Sequence, residues 1–119
     1  MIVLIADDEK EIVELLKDRV IAKGHSVNTA YDGKEALELI KSNSYDLIFL
    51  DHNMPGLTGL ELLRYIKQNN LKPKVVIITG YPEINEFFMK GRGADEYLTK
   101  PVEMKVIDDI IDKYSKLTG

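Results

Sequence analysis

Five short segments rich in apolar and β-branched residues alternate with longer segments of helical spacing, which restricts this chain to an α/β domain built on a parallel sheet. The strand candidates are Ile2 to Ala6, Ser26 to Ala30, Asp46 to Leu50, Val75 to Thr79 and Glu96 to Thr99. The first, third and fourth are apolar almost throughout, the pattern of interior strands covered on both faces. Between them apolar residues recur at three and four: Ile12, Leu15, Leu16 and Val20; Ala36, Leu39 and Ile40; Leu60, Leu63 and Ile66. A fourth helix carries Ile84, Phe87 and Phe88, read most simply as core with one phenylalanine alternatively in an exposed partner patch, and a fifth carries Val106, Ile107, Ile110, Ile111 and Tyr114. With 119 residues, the five-fold repeat predicts one domain over residues 1–119.

Local signals agree with these boundaries. Thr58 followed by Glu61 forms a capping-box pattern, Gly24 suits the stop of the first helix, and Pro82 suits the first turn of the fourth. Lys116 to Gly119 reads as a frayed tail. An apolar fraction of 45% and a charged fraction of 30% indicate a packed core. The formal charge of -4, with no basic cluster, argues against direct nucleic-acid binding. The chain contains no cysteine, which removes disulfides, thiol nucleophiles and thiolate metal sites. The longest apolar runs are strand-sized and no basic stretch precedes the first, so neither a membrane span nor a secretory signal is expected and the cytoplasm is the expected compartment.

Open parallel sheets bind ligands beyond the carboxyl ends of their strands. Asp7, Asp8 and Glu9 follow the first strand, and Asp51 to Gly56 follow the third. Three aspartates brought to one edge repel one another unless a hard cation such as Mg²⁺ neutralises them. Thr79 with Gly80 follows the fourth strand, and Lys100 with Pro101 follows the fifth. An aspartate nucleophile, a metal and a lysine for phosphoryl oxygens, and a hydroxyl donor together describe a phosphate site.

Asp7-Asp8-Glu9, Asp51-His52-Asn53-Met54-Pro55-Gly56, Thr79-Gly80 and the run from Gly93 to Pro101 resemble the signature of bacterial two-component receiver domains, over a match from Ile2 to Tyr114. The resemblance implies a flavodoxin-like, doubly wound five-stranded parallel sheet of order 2-1-3-4-5 with five helices. It further implies Asp51 as phosphoacceptor, Mg²⁺ held by Asp8, Asp51 and the backbone carbonyl of Asn53, and Asp7 in the same shell through water. By the same route Lys100 pairs with a phosphoryl oxygen, Thr79 moves to another, Tyr97 rotates as a switch aromatic, and the Lys100 to Pro101 peptide is cis. The implied donor is a phosphohistidine on a sensor histidine kinase or phosphotransfer protein. The implied output is a protein contact on the face of helix 4, strand 5 and helix 5. Val102 and Thr58 depart from frequent family residues, away from the proposed chemistry.

Plainer readings stand beside these. Asp7 and Asp8 suit a helix N-terminus, Asp51 a turn, Thr79 a strand, Lys100 a surface and Tyr97 ordinary packing. His25 and His52 read as surface or loop residues. Functional alternatives are a receiver excised from a transcription factor or output enzyme, a degenerate receiver that binds without phosphorylation, an aspartyl-phosphate phosphohydrolase, and an FMN binder. The phosphohydrolase needs a second aspartate where Asn53 stands, and Asp7 and Asp8 would repel the FMN phosphate.

Overall fold

The structure is a computed structural model that describes residues 1–80 and 85–118. Its strands are β1 (Ile2–Ala6), β2 (Ser26–Ala30), β3 (Leu47–Asp51), β4 (Lys74–Thr79) and β5 (Glu96–Thr99). Its helices are α1 (Lys10–Ala22), α2 (Gly33–Ser42), α3 (Gly59–Gln68), α4 (Glu86–Gly91) and α5 (Met104–Thr118). All strand pairings are parallel and the order is β2-β1-β3-β4-β5, as the family resemblance implies. β1, β2 and β5 coincide with the sequence reading, while β3 begins one residue later and includes Asp51. Pro82 and Ile84 lie outside the described residues.

The period-two alternation of the interior strands divides the core into two layers. Leu4, Ala6, Ile48, Leu50, Val75 and Ile77 face one side, where Ala36 and Ile40 of α2, Leu62, Leu63 and Ile66 of α3, and Met89 of α4 meet them. Val3, Ile5, Leu47, Phe49, Val76 and Ile78 face the other, against Val13, Leu16 and Val20 of α1 and Ile107, Ile110, Ile111 and Tyr114 of α5. Burying such side chains from water contributes roughly 1.5–3 kcal/mol each before chain entropy is counted.

Several placements correct the sequence reading. Ile12, Leu16 and Val20 of the expected α1 stripe pack toward the sheet, but Leu15 is half exposed and Val13, on the other side of the stripe, is buried in its place. Phe87 is 89% exposed and Phe88 is on the surface; α4 is a short helix that buries Met89 instead. Val106 lies at the exposed margin of α5. The expected frayed tail is helical through Thr118, since α5 continues beyond its last buried residue, Tyr114.

Two caps fix how the chain enters its helices. Thr58 accepts from the Glu61 N–H and Glu61 accepts from the Thr58 N–H, completing the capping box of α3. Asp32 accepts from the Glu35 N–H at the start of α2. Gly24 follows α1 at φ 86°, a left-handed conformation that favours glycine.

Candidate functional site

Each site residue stands at or just beyond the carboxyl end of a strand. Asp7 follows β1, Asp51 ends β3, Thr79 ends β4 and Lys100 follows β5. The parallel register carries all four to one edge: Asp51 pairs with Ile78, and Thr79 with Thr99. Asp7 and Asp51 are almost wholly buried, at 2% and 3% exposure, whereas Asp8 faces solvent.

Lys100 bridges the acids. Its Nζ lies 2.6 Å from Glu9 Oε1, 3.1 Å from Asp7 Oδ2 and 3.5 Å from Asp51 Oδ2. Asp7 Oδ1 accepts the Glu9 backbone N–H at 2.8 Å, and Asp51 Oδ1 accepts that of Asn53 at 3.2 Å. The Asn53 side-chain amide donates to Thr79 Oγ1 at 3.2 Å. The Lys100–Pro101 peptide is cis.

Burial, followed by the neighbouring charge of Asp7, pushes the Asp51 carboxyl up to about 7, against the opposing pull of Lys100 and the Asn53 N–H. Asp7 is also raised, chiefly by burial. Burial alone would lower the Lys100 ammonium, but its contacts with Glu9, Asp7 and Asp51 more than reverse that and hold it above the usual lysine value.

Carboxylate oxygens of Asp7, Asp8 and Asp51 lie within 4.8 Å of one another. Asp7 Oδ2 is fully buried and, among the described residues, its close contact is the 3.1 Å ion pair with Lys100. A buried anionic oxygen of this kind, in an oxygen-only donor set, fits a hard divalent cation such as Mg²⁺.

Sequence reasoning brought Asp7, Asp8, Asp51, Asn53, Thr79 and Lys100 to this edge, and they meet there. Tyr97 is half-buried on β5 and packs against the layer containing Met89 and Ala94. His52 lies in the loop after β3, as one of the two expected placements had it, but it is buried and not on the surface, with its backbone N–H donating to Ile78 O and its Nδ1 facing the Leu60 N–H at 3.4 Å. The loop after β3 turns this side chain inward toward α3. His25 is half-buried, with Nδ1 2.9 Å from the Met1 ammonium. Glu9 escaped notice as a site residue, because a surface glutamate in an acidic turn carries no signal that it reaches across the sheet.

A doubly wound sheet with this acidic edge defines a class, and comparison with known proteins agrees: the model of the response regulator receiver domain matches residues 3–112, and the chain belongs to that family. It is a receiver domain of two-component response regulators, a phosphorylation-activated switch. Among curated proteins it is 36% identical over 107 residues to the transcriptional regulatory protein DltR of Streptococcus agalactiae, covering 87% of this chain and 46% of that protein. It is 34% identical over 103 residues to the response regulator ArlR of Staphylococcus saprophyticus, covering 87% and 47%. The chain thus spans about half the length of these relatives. Among solved structures, a Francisella response regulator 1452 receiver domain matches with a TM-score of 0.92 at 35% identity, over 99% of this chain and 98% of that one. TrrA of Thermotoga maritima, solved in complex with Mg²⁺ and BeF, matches with a TM-score of 0.83 at 34% identity, over 95% and 97%.

Proposed function

We propose that Asp51 is the phosphoacceptor of this receiver, working with a bound Mg²⁺ and with Lys100. The observation that carries this reading is the position of Lys100, whose ammonium lies within 3.5 Å of a buried aspartate ending β3 and 3.1 Å of a second one following β1. An Asp51 carboxylate oxygen would form a bond to phosphorus as the donor's P–N bond, in a phosphohistidine, or P–O bond, in acetyl phosphate, breaks. Burial removes competing water hydrogen bonds from Asp51, and Lys100 supplies a cation for the phosphoryl oxygens. Asp8, Asp51 and the backbone carbonyl of Asn53 would hold Mg²⁺, with Asp7 acting through water. When bound, the ion would neutralise charge on the transferring group.

Phosphorylation adds roughly 1.5 to 2 negative charges where Lys100 and the metal would offset them. Thr79, tied to Asn53 in this state, would shift its hydroxyl to the new oxygens, and Tyr97 would turn inward as the end of β4 rearranges. The altered surface of α4, β5 and α5, where Phe87 stands exposed, would contact a downstream protein. A sensor histidine kinase or phosphotransfer protein would supply the phosphoryl group in the cytoplasm, residues 1–119 acting as one domain, and water would remove it. Self-phosphorylation and hydrolysis would be the chain's only chemistry. No described helix is long and apolar enough to cross a membrane.

Intact-mass analysis after incubation with acetyl phosphate tests this. A single phosphoryl adduct that requires Mg²⁺ and disappears in Asp51→Asn is expected; an adduct that persists in the variant would move the acceptor elsewhere.

A further inference from the structure

We propose that Glu9 is a positioning residue that holds the Lys100 ammonium at the rim of the acidic pocket, and that this hold slows phosphorylation of Asp51. The inference rests on the reading of Asp51 as acceptor. Among the described residues three acids lie around Lys100, and the nearest is Glu9, at 2.6 Å, against 3.1 Å for Asp7 and 3.5 Å for Asp51. The Lys100 side chain is 13% exposed and that of Glu9 57%, so the glutamate draws the ammonium outward from the two buried carboxylates.

The placement of Glu9 in its own helix points the same way. Glu9 occupies the N-cap of α1, yet its side chain makes no capping bond. Aspartate or serine there would satisfy a free N–H of the first turn; a glutamate is a poor cap. The longer side chain is committed to Lys100 across the sheet instead. Its backbone N–H is held by Asp7 Oδ1 at 2.8 Å, which fixes the point from which the carboxylate reaches.

A phosphoryl group on Asp51 requires Lys100 to turn inward to the new oxygens, so the 2.6 Å contact must lengthen as the phosphoryl group arrives. Glu9 stabilises the unphosphorylated arrangement and offers nothing to the phosphorylated one, so it acts as a brake on acceptance. Because Glu9 is largely exposed, the brake has the strength of a surface ion pair, equivalent to about two- to five-fold in rate.

The test compares wild type, Glu9→Gln and Glu9→Asp in acetyl phosphate with Mg²⁺, reading the phosphorylation rate by intact mass, and records the Lys100 side-chain methylene signals by NMR without Mg²⁺. Aspartate keeps the charge but is one methylene too short for the contact, and it suits the N-cap. Both variants are expected to accept the phosphoryl group about two- to five-fold faster and to shift the Lys100 signals in the same direction. A Glu9→Gln rate equal to or below that of wild type would overturn the inference. A fast Glu9→Gln beside a wild-type Glu9→Asp would also overturn it, since that pattern reports simple repulsion of the anionic donor. A wild-type chain that takes no phosphoryl group would remove the Asp51 reading itself, an outcome distinct from equal rates among chains that are all phosphorylated.

Discussion

The Asn53 side-chain amide donates to the Thr79 hydroxyl at 3.2 Å, tying the loop after β3 to the end of β4. Asn53 thereby spans both halves of the proposed switch, since its backbone N–H also donates to Asp51. Asn53→Ala removes the first bond and leaves the second intact. It should lower stability to urea by about 1 kcal/mol, the net worth of one hydrogen bond. It should also shift the NMR methyl signal of Thr79 toward its phosphorylated position before any phosphoryl group is added; an unmoved signal would show that the bond restrains nothing.

Asp51 makes the metal-free fold sensitive to pH. Its carboxyl titrates near 7 when folded and near 3.8 when not, so the native state favours the protonated form. Below about pH 4 both states are protonated and the group costs nothing. As pH rises from there toward 7 the unfolded chain loses its proton first, and the penalty grows until it is complete above 7. Asp51→Asn should therefore melt higher than wild type at pH 8, with the gap closing toward pH 4. Differential scanning calorimetry across that range, without Mg²⁺, checks the sign.

Asp8 differs from its neighbour in facing solvent, so removing it leaves no hole in the core. Asp8→Ala should keep the melting temperature of the metal-free chain within a few degrees while weakening Mg²⁺ binding at least about ten-fold, on the order of 1.4 kcal/mol. The chain has six tyrosines and no tryptophan, so titration is best followed by calorimetry or NMR. Unchanged affinity would remove Asp8 from the ligand set.

Gly33 tests the seam between α2 and the loop after β3. A Cβ there would lie 2.1 Å from the Leu57 carbonyl oxygen, and the Gly33 N–H donates to Pro55 O at 2.9 Å. Gly33→Ala should destabilise by about 1–3 kcal/mol through overpacking against backbone that cannot rotate away. Gly91→Ala, where a Cβ meets open space, should change stability by no more than about 0.5 kcal/mol. Chemical denaturation of the pair separates steric conflict from any general effect of losing a glycine.

How far the sequence was legible varied with the physics behind each element. Interior strands such as Val75 to Thr79 announce themselves, because burial on both faces demands an unbroken apolar run. The capping box at Thr58 and Glu61 is equally local. Helix faces were harder: in α1 the stripe of Ile12, Leu16 and Val20 can be widened by Leu15 on one side or Val13 on the other, and only packing against Val3 and Ile5 selects Val13. α4 is too short for a period to show, so Phe87 and Phe88 resembled core. At the site, the aspartates, Thr79 and Lys100 were readable from their positions after strands. The inward turn of His52 and the reach of Glu9 were not, because both depend on contacts between segments far apart in the chain.

The parallel register has one further result. The strand ends that carry Asp7, Asp51, Thr79 and Lys100 are neighbours in space but come from β1, β3, β4 and β5, so no fragment lacking a strand holds the full set. A newly made chain reaches Lys100 only after every strand has been synthesised, and a misfolded one never brings the charges together. If Asp51 is the acceptor as proposed, its chemistry is therefore assembled only where β1, β3, β4 and β5 stand side by side, so acceptance of a phosphoryl group would double as a check that the domain has folded.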